Sequence, residues 1–182
     1  MLKKLSPSAE KKLLFLAIAT FLLAGSCMMY FDTLLKNEIA PMGIVSFELA
    51  KTLDYSTQIL DSWKSTEGAM QSAEWSLWFD YIFIIAYTLL LCLFIHRVRR
   101  NIWTNGESLV NRLGIVMIRI VIYAGVLDMV ENFALLQLFY DDLTSHWSIL
   151  AFVTATIKFI GILLAILYVL ISLLIAGIKK IT

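Results

Sequence analysis

Four stretches of the chain are apolar for long enough to cross a lipid bilayer as helices, and this constrains the fold more than any other sequence feature. Spanning the hydrocarbon takes about 20 predominantly apolar residues in an α-helix. Residues 13–31 form such a run with no charge inside it. A second covers 75–95 and is interrupted only by Asp80; a third, 113–140, carries Arg119, Asp128 and Glu131; the fourth, 147–178, carries only Lys158. The last two exceed the minimum length, which permits tilt without fixing an angle. With 60% apolar and only 16% charged residues among 182, and a mean hydropathy of +0.81, the chain has more apolar surface than a soluble domain of this size can hide. The expected fold is an all-α membrane protein, a four-transmembrane-helix bundle forming one membrane domain over residues 1–182.

Lysine and arginine set the expected orientation, because positive charge is retained in the cytoplasm. Lys3, Lys4, Lys11 and Lys12 precede the first span, Arg97, Arg99, Arg100 and Arg112 lie around the connection between spans two and three, and Lys179 and Lys180 follow span four. The opposite side holds only Lys36, Lys51 and Lys64, spread along the loop 32–74. Both termini are therefore expected in the cytoplasm. Trp75, Trp78 and Trp147 fall where an outer aromatic belt belongs. The net charge of +1 points to no nucleic-acid partner.

The two cysteines, Cys27 and Cys92, fall near opposite ends of their spans, so the topology excludes a disulfide between them, and no zinc site is suggested. Leu23-Ala24-Gly25-Ser26-Cys27 loosely resembles a lipoprotein processing site, with Cys27 as the lipidated residue. A cleavable apolar core is usually about 7–15 residues long. Here apolar residues continue through Met28, Met29 and Tyr30, which favours an uncut transmembrane helix.

The loop 32–74 is too long for a turn and too apolar for a solvated linker. After Pro41 and Gly43, the residues Val45, Leu49, Leu53, Ile59, Leu60 and Trp63 recur at spacings compatible with one helix face. An amphipathic helix at the outer interface, or capping the bundle, is the expected result. Glu48 sits in an apolar run, Ile44 to Ala50. Pairing with Lys51 or pointing to water is its ordinary fate; the sharper alternative turns it down as a lid over a cavity mouth.

Any chemistry lies among the charges inside the spans. A charged group at mid-bilayer costs at least about 2.5–3.5 kcal/mol, so such groups face protein and find partners. At about 1.5 Å per residue, Asp128 lies roughly 18 Å inward from Tyr140, Glu131 roughly 13 Å, and Lys158 roughly 16 Å inward from Trp147. One lysine and two carboxylates thus share a level on adjacent antiparallel helices. Asp128, Glu131 and Asn132 stand at i, i+3 and i+4, on one helix face. The face of Lys158 carries Ala151, Thr154, Gly161 and Ala165, small residues that let another helix approach. Asp80 sits at a shallower level, with Tyr81, Tyr87 or Gln137 as neutral partners. Arg119, nine residues from Asp128, points away and is near enough to the cytoplasmic end to snorkel. Asp80, Asp128 and Glu131 against Lys158 leave a surplus of negative charge, which a buried site holds only with protons or a cation.

The order Phe47-Glu48-Leu49-Ala50, Asp80, Asp128-Met129-Val130-Glu131-Asn132 and Lys158-Phe159 resembles a group of four-span bacterial inner-membrane proteins with no assigned activity. That resemblance implies a bacterial inner-membrane location and adds no mechanism. No nucleotide-binding, hydrolase, kinase or metalloprotease motif is present. Three functions fit the pattern. First is a binding or accessory module, with no cofactor and no metal. A small cation- or proton-coupled transporter comes next, and it would need a homo-oligomer or a larger membrane complex. Last is an intramembrane acid/base enzyme acting on a lipid. The expected partners are the lipid bilayer and a small cationic or lipid ligand.

Overall fold

The structure, a computed structural model, describes residues 7–104, 106 and 108–181. Lys3 and Lys4, and the side chains of Lys179 and Lys180, lie outside what it describes. Among the described residues there are six helices and no strand: α1 (Pro7–Asp32), α2 (Ile44–Glu48), α3 (Leu53–Lys64), α4 (Ala69–Asn101), α5 (Leu109–Phe139) and α6 (Ser145–Ile181). Helices α1, α4, α5 and α6 are each long and apolar enough to cross a membrane. Each begins before its apolar run, and all but α5 also continue past it, because the polar residues at the ends continue the backbone hydrogen-bond ladder.

Their outer faces fit a lipid solvent. Ile149, Val153, Ile157 and Ile160 on α6, and Phe15, Leu22 and Leu23 on α1, are exposed large apolar side chains. A soluble monomer rarely shows contiguous apolar area of that extent. Together with the buried charges described below, these four helices fit a multi-pass membrane protein.

The long helices pack in a chain. α1 lies along α4, α4 along α5 and α5 along α6, with a lighter contact between α4 and α6; α1 and α6 make no extended contact among the described residues. The α5/α6 contact is close because small residues face it. Ala151, Ala155, Gly161 and Ala165 are buried on α6, and a Cβ on Gly161 would meet the Ile120 side chain at 3.0 Å. Without water to squeeze out, such close approach is what membrane helices rely on for packing.

The connection 33–68 folds as two helices where one was expected. Gly43, at φ 60°, precedes α2. A side chain there would both strain the backbone and collide with the Asp32 carboxylate. That carboxylate, at the end of α1, accepts a hydrogen bond from the Ile44 backbone N–H at 2.8 Å. Asp32 thus fixes the start of α2 to the end of α1. The chain breaks at residues 49–52, and Thr52 restarts it as the cap of α3, its hydroxyl accepting from the Tyr55 N–H at 3.3 Å. In α3, Ile59, Leu60 and Trp63 are buried, and the Trp63 indole donates to the Leu35 carbonyl at 2.8 Å. Phe47 of α2 meets the Trp63 ring edge-on, centroids 5.5 Å apart. Both are fully buried. A buried hydroxyl contact, Ser56 Oγ to Ser148 Oγ at 3.0 Å, ties α3 to α6.

Candidate functional site

Lys158 lies thirteen residues into α6, roughly 20 Å from its start at the helical rise. Its ammonium donates to Asp128 Oδ1 at 2.5 Å and to Glu131 Oε1 at 2.9 Å, both from α5. The third carboxylate is Glu48 of α2, with Oε2 at 3.3 Å from Nζ. That distance is an ion pair of poor hydrogen-bond geometry, and the Glu48 carboxyl also lies within reach of the Glu131 carboxyl. Glu131 Oε2 is buried without a hydrogen-bond partner. The ammonium therefore stands where a cation held by three carboxylates would stand.

A second layer surrounds this trio. Tyr87 of α4 donates its hydroxyl proton to Asp128 Oδ2 at 2.8 Å. Asn132, one residue beyond Glu131, donates to Asp80 Oδ2 at 2.6 Å and weakly to the Leu77 carbonyl at 3.5 Å. Glu48, Asp80, Asp128, Glu131, Asn132 and Lys158 are all at least nine-tenths buried. Four helices thus contribute to one polar cluster. Four carboxyls face one ammonium, so full ionisation would leave three net negative charges, one more than the three span acids alone imply. Burial pushes the Glu48 carboxyl above its ordinary value, and the Lys158 ammonium only partly offsets that effect.

The structure brings together every side chain singled out as a candidate in the sequence, with some changes of partner. Glu48 turns inward to Lys158 and not to Lys51, whose ammonium lies 5.8 Å from the Phe152 ring centroid. Asp80 pairs with Asn132, while Tyr87 serves Asp128 and Tyr81 packs against the Trp78 ring. Arg119 is exposed, away from the cluster. Cys27 and Cys92 are free thiols. Among the described residues no group of three or more His, Cys, Asp or Glu side chains is placed to hold a metal ion.

The cluster forms the polar end of a groove, and where the sequence suggests a cavity beneath Glu48 it does not show this long apolar extension. A cavity of about 390 Å³ runs between α1, α4 and α6 beneath α2. Glu48, Asp80, Asp128 and Lys158 line one end; Phe21 of α1, Leu90 of α4 and Ile166 of α6 are among the residues lining the rest. From Lys158 to Ile166 the wall extends roughly 12 Å along α6. The groove exists because α1 and α6 each pack on another neighbour and leave the space between them unfilled. Its volume lies within the range of about 300–1,000 Å³ typical of small-molecule sites.

A further ion pair closes the other end of the α1/α4 pair. Glu10, buried in the first turn of α1, accepts both guanidinium nitrogens of Arg100 at 2.5 and 3.1 Å. Ninety positions separate these partners, and no periodicity in the sequence links them. Comparison with protein families, with curated proteins and with solved structures finds no match to this chain.

Proposed function

We propose that the protein is a binding module of the bacterial inner membrane that admits an amphiphile sideways from the bilayer, between α1 and α6. The apolar tail of the ligand lies along the groove and its polar end meets Glu48, Asp80, Asp128 and Lys158. The observation that carries this reading is the joining of a long apolar groove to a buried polar cluster at one end. A groove filled with lipid tails alone would gain nothing from charges that are costly to bury. In this reading both termini are cytoplasmic, following the lysine and arginine distribution, and the α2–α3 segment roofs the groove on the outer side.

The test is gentle purification followed by native mass spectrometry. The wild-type protein is expected to carry an additional mass of amphiphile size, and Ile162→Trp, which fills the groove from α6, is expected to lose it while keeping its helicity. A bare wild-type mass under all mild conditions would refute the reading. A second reading, a purely structural ion lock, is favoured by the way Lys158 is already surrounded by three carboxylates. It predicts that Ile162→Trp changes no bound mass.

A further inference from the structure

We infer that the groove selects an amphiphile whose head is a protonated amine with no anionic group. This deepens the reading above and depends on it.

The donors there are directed at the cluster's own acceptors. Lys158 donates to Asp128 and Glu131 and faces Glu48. The Tyr87 hydroxyl donates to Asp128. Asn132 directs its amide to Asp80 and the Leu77 carbonyl. A ligand carboxylate or phosphate would have to draw these donors away from the carboxyls they already face and would add negative charge to a site with a surplus of it.

Acceptors, in contrast, are in excess. Glu48 lines the groove, is only 6% exposed, and holds Oε2 without a hydrogen bond. Glu131 Oε2 is also without one, but that residue is not on the groove wall. Asp80 reaches the groove with one hydrogen-bonded oxygen. A ligand head that brings N–H donors therefore meets the Glu48 carboxyl directly and can take the place of a proton held there. The surplus of carboxyls over ammonium groups favours a head that also brings positive charge, since a buried site this acidic otherwise holds protons in its place. Charge-assisted hydrogen bonds are roughly twice as strong as neutral ones. An ammonium is thus preferred over an alcohol, and an anion is rejected. The wall of roughly 12 Å suits a tail of medium length, and Phe159 beside the cluster adds an aromatic face, already 4.9 Å from Lys158 Nζ.

The test compares three probes of equal chain length, dodecylamine, dodecanol and dodecanoate, at pH 7 in a nonionic detergent. The readout is the thermal unfolding midpoint of the full-length protein. Dodecylamine is expected to raise the wild-type midpoint in a saturable way, while dodecanol and dodecanoate do not. In Glu48→Gln the amine is expected to bind about tenfold or more weakly, the loss of one hydrogen bond to a charged group. If Glu48→Gln does not fold, selectivity among the three probes on the wild type decides alone. An amine response unchanged in a folded Glu48→Gln overturns the inference. So does equal stabilisation by dodecanol that Ile162→Trp abolishes, a result that leaves the amphiphile reading standing. If no probe stabilises the protein and the purified wild type carries no bound amphiphile, both readings fall.

Discussion

Replacing Lys158 by methionine is the perturbation most directly answerable to the structure, because methionine keeps an unbranched apolar stem of nearly the same length and removes the ammonium, with its charge and its hydrogen bonds to Asp128 and Glu131. Three carboxylates, Glu48, Asp128 and Glu131, lose their ammonium at once. Breaking a buried ion pair from one side generally costs about 3–5 kcal/mol. An independent route leads to the same size. With the cation gone, the cluster can keep its charge balance by taking up one proton. Neutralising a carboxyl of ordinary pKa near 4.3 at pH 7 costs about 3.7 kcal/mol, at about 1.36 kcal/mol per pH unit. At pH 5 the same step costs only about 1 kcal/mol. The loss in Lys158→Met is therefore expected to shrink by roughly 2.7 kcal/mol between the two pH values.

Unfolding in dodecylmaltoside micelles by titration with sodium dodecyl sulfate, read by far-ultraviolet circular dichroism at pH 7 and pH 5, measures both quantities. A companion variant, Lys158→Met with Glu131→Gln, removes one charge of each sign and is expected to recover much of the stability at pH 7. Two results would refute the reasoning. A loss under about 1 kcal/mol at pH 7 is the size of an exposed pair, and would mean that the lysine does not balance ionised carboxylates. A large loss that is the same at both pH values would assign the effect to shape and not to charge.

Three further outcomes are expected. Trp63→Ala removes a fully buried ring and the indole bond to Leu35; a loss of about 3–5 kcal/mol should appear as faster amide hydrogen exchange across residues 33–68 before the long helices are affected. Gly125→Leu places a side chain where a Cβ alone would meet Thr88 Oγ1 at 2.6 Å, and overpacking the α4/α5 contact should lower stability by about 1–3 kcal/mol in the same titration. Glu48 gives a pH dependence of defined sign. It faces Lys158, Asp128, Glu131 and Asp80, and burial raises its carboxyl above the usual 4.5. The folded protein therefore binds more protons than the unfolded chain, so this contribution is full below about pH 4.5 and is lost as pH rises toward the native value. The difference in stability between wild type and Glu48→Gln, measured from pH 4 to pH 8, should change in that direction; a flat difference would show that Glu48 is not buried as described.

Much of this arrangement is legible in the sequence because depth in a membrane helix is nearly a matter of counting. The rise per residue places Asp128, Glu131 and Lys158 at one level, and the i, i+3, i+4 spacing puts Asp128, Glu131 and Asn132 on one face. What counting does not supply is azimuth between helices. Hydropathy is the same whether α1 packs beside α6 or beside α4, so the groove between α1 and α6 has no signature in residue order. The inward direction of Glu48 is only one of two alternatives in the sequence, for a different reason. A periodic reading of residues 45–63 runs straight through residues 49–52, and the break there depends on two local devices, the positive φ of Gly43 against Asp32 and the cap at Thr52. Without that break, Phe47 does not enter the core as it does and Glu48 does not reach Lys158. Likewise, the Glu10–Arg100 pair joins two chain regions that look like ordinary flanking charges.

The same packing explains why a groove survives in so small a bundle. α5 and α6 are joined by small residues and by the Lys158 ion pairs, and α4 is joined to α5 through Tyr87–Asp128 and Asp80–Asn132. α1 belongs to a different set of contacts. It packs on α4, is held at one end by Glu10–Arg100 and is linked at the other to α2 through Asp32. With both ends tied, α1 does not need contact with α6 to keep its place, and the space between them is not closed by the fold itself. An apolar tail entering there gains dispersion contacts with both walls, contacts that α1 and α6 do not make with each other. In the proposed complex its head meets a cluster whose donors are directed at its own acceptors. The ion pairs that fix α5 against α6 and the Glu48 carboxyl therefore belong to one network, and this is why Lys158→Met tests the architecture while Glu48→Gln tests the proposed ligand site.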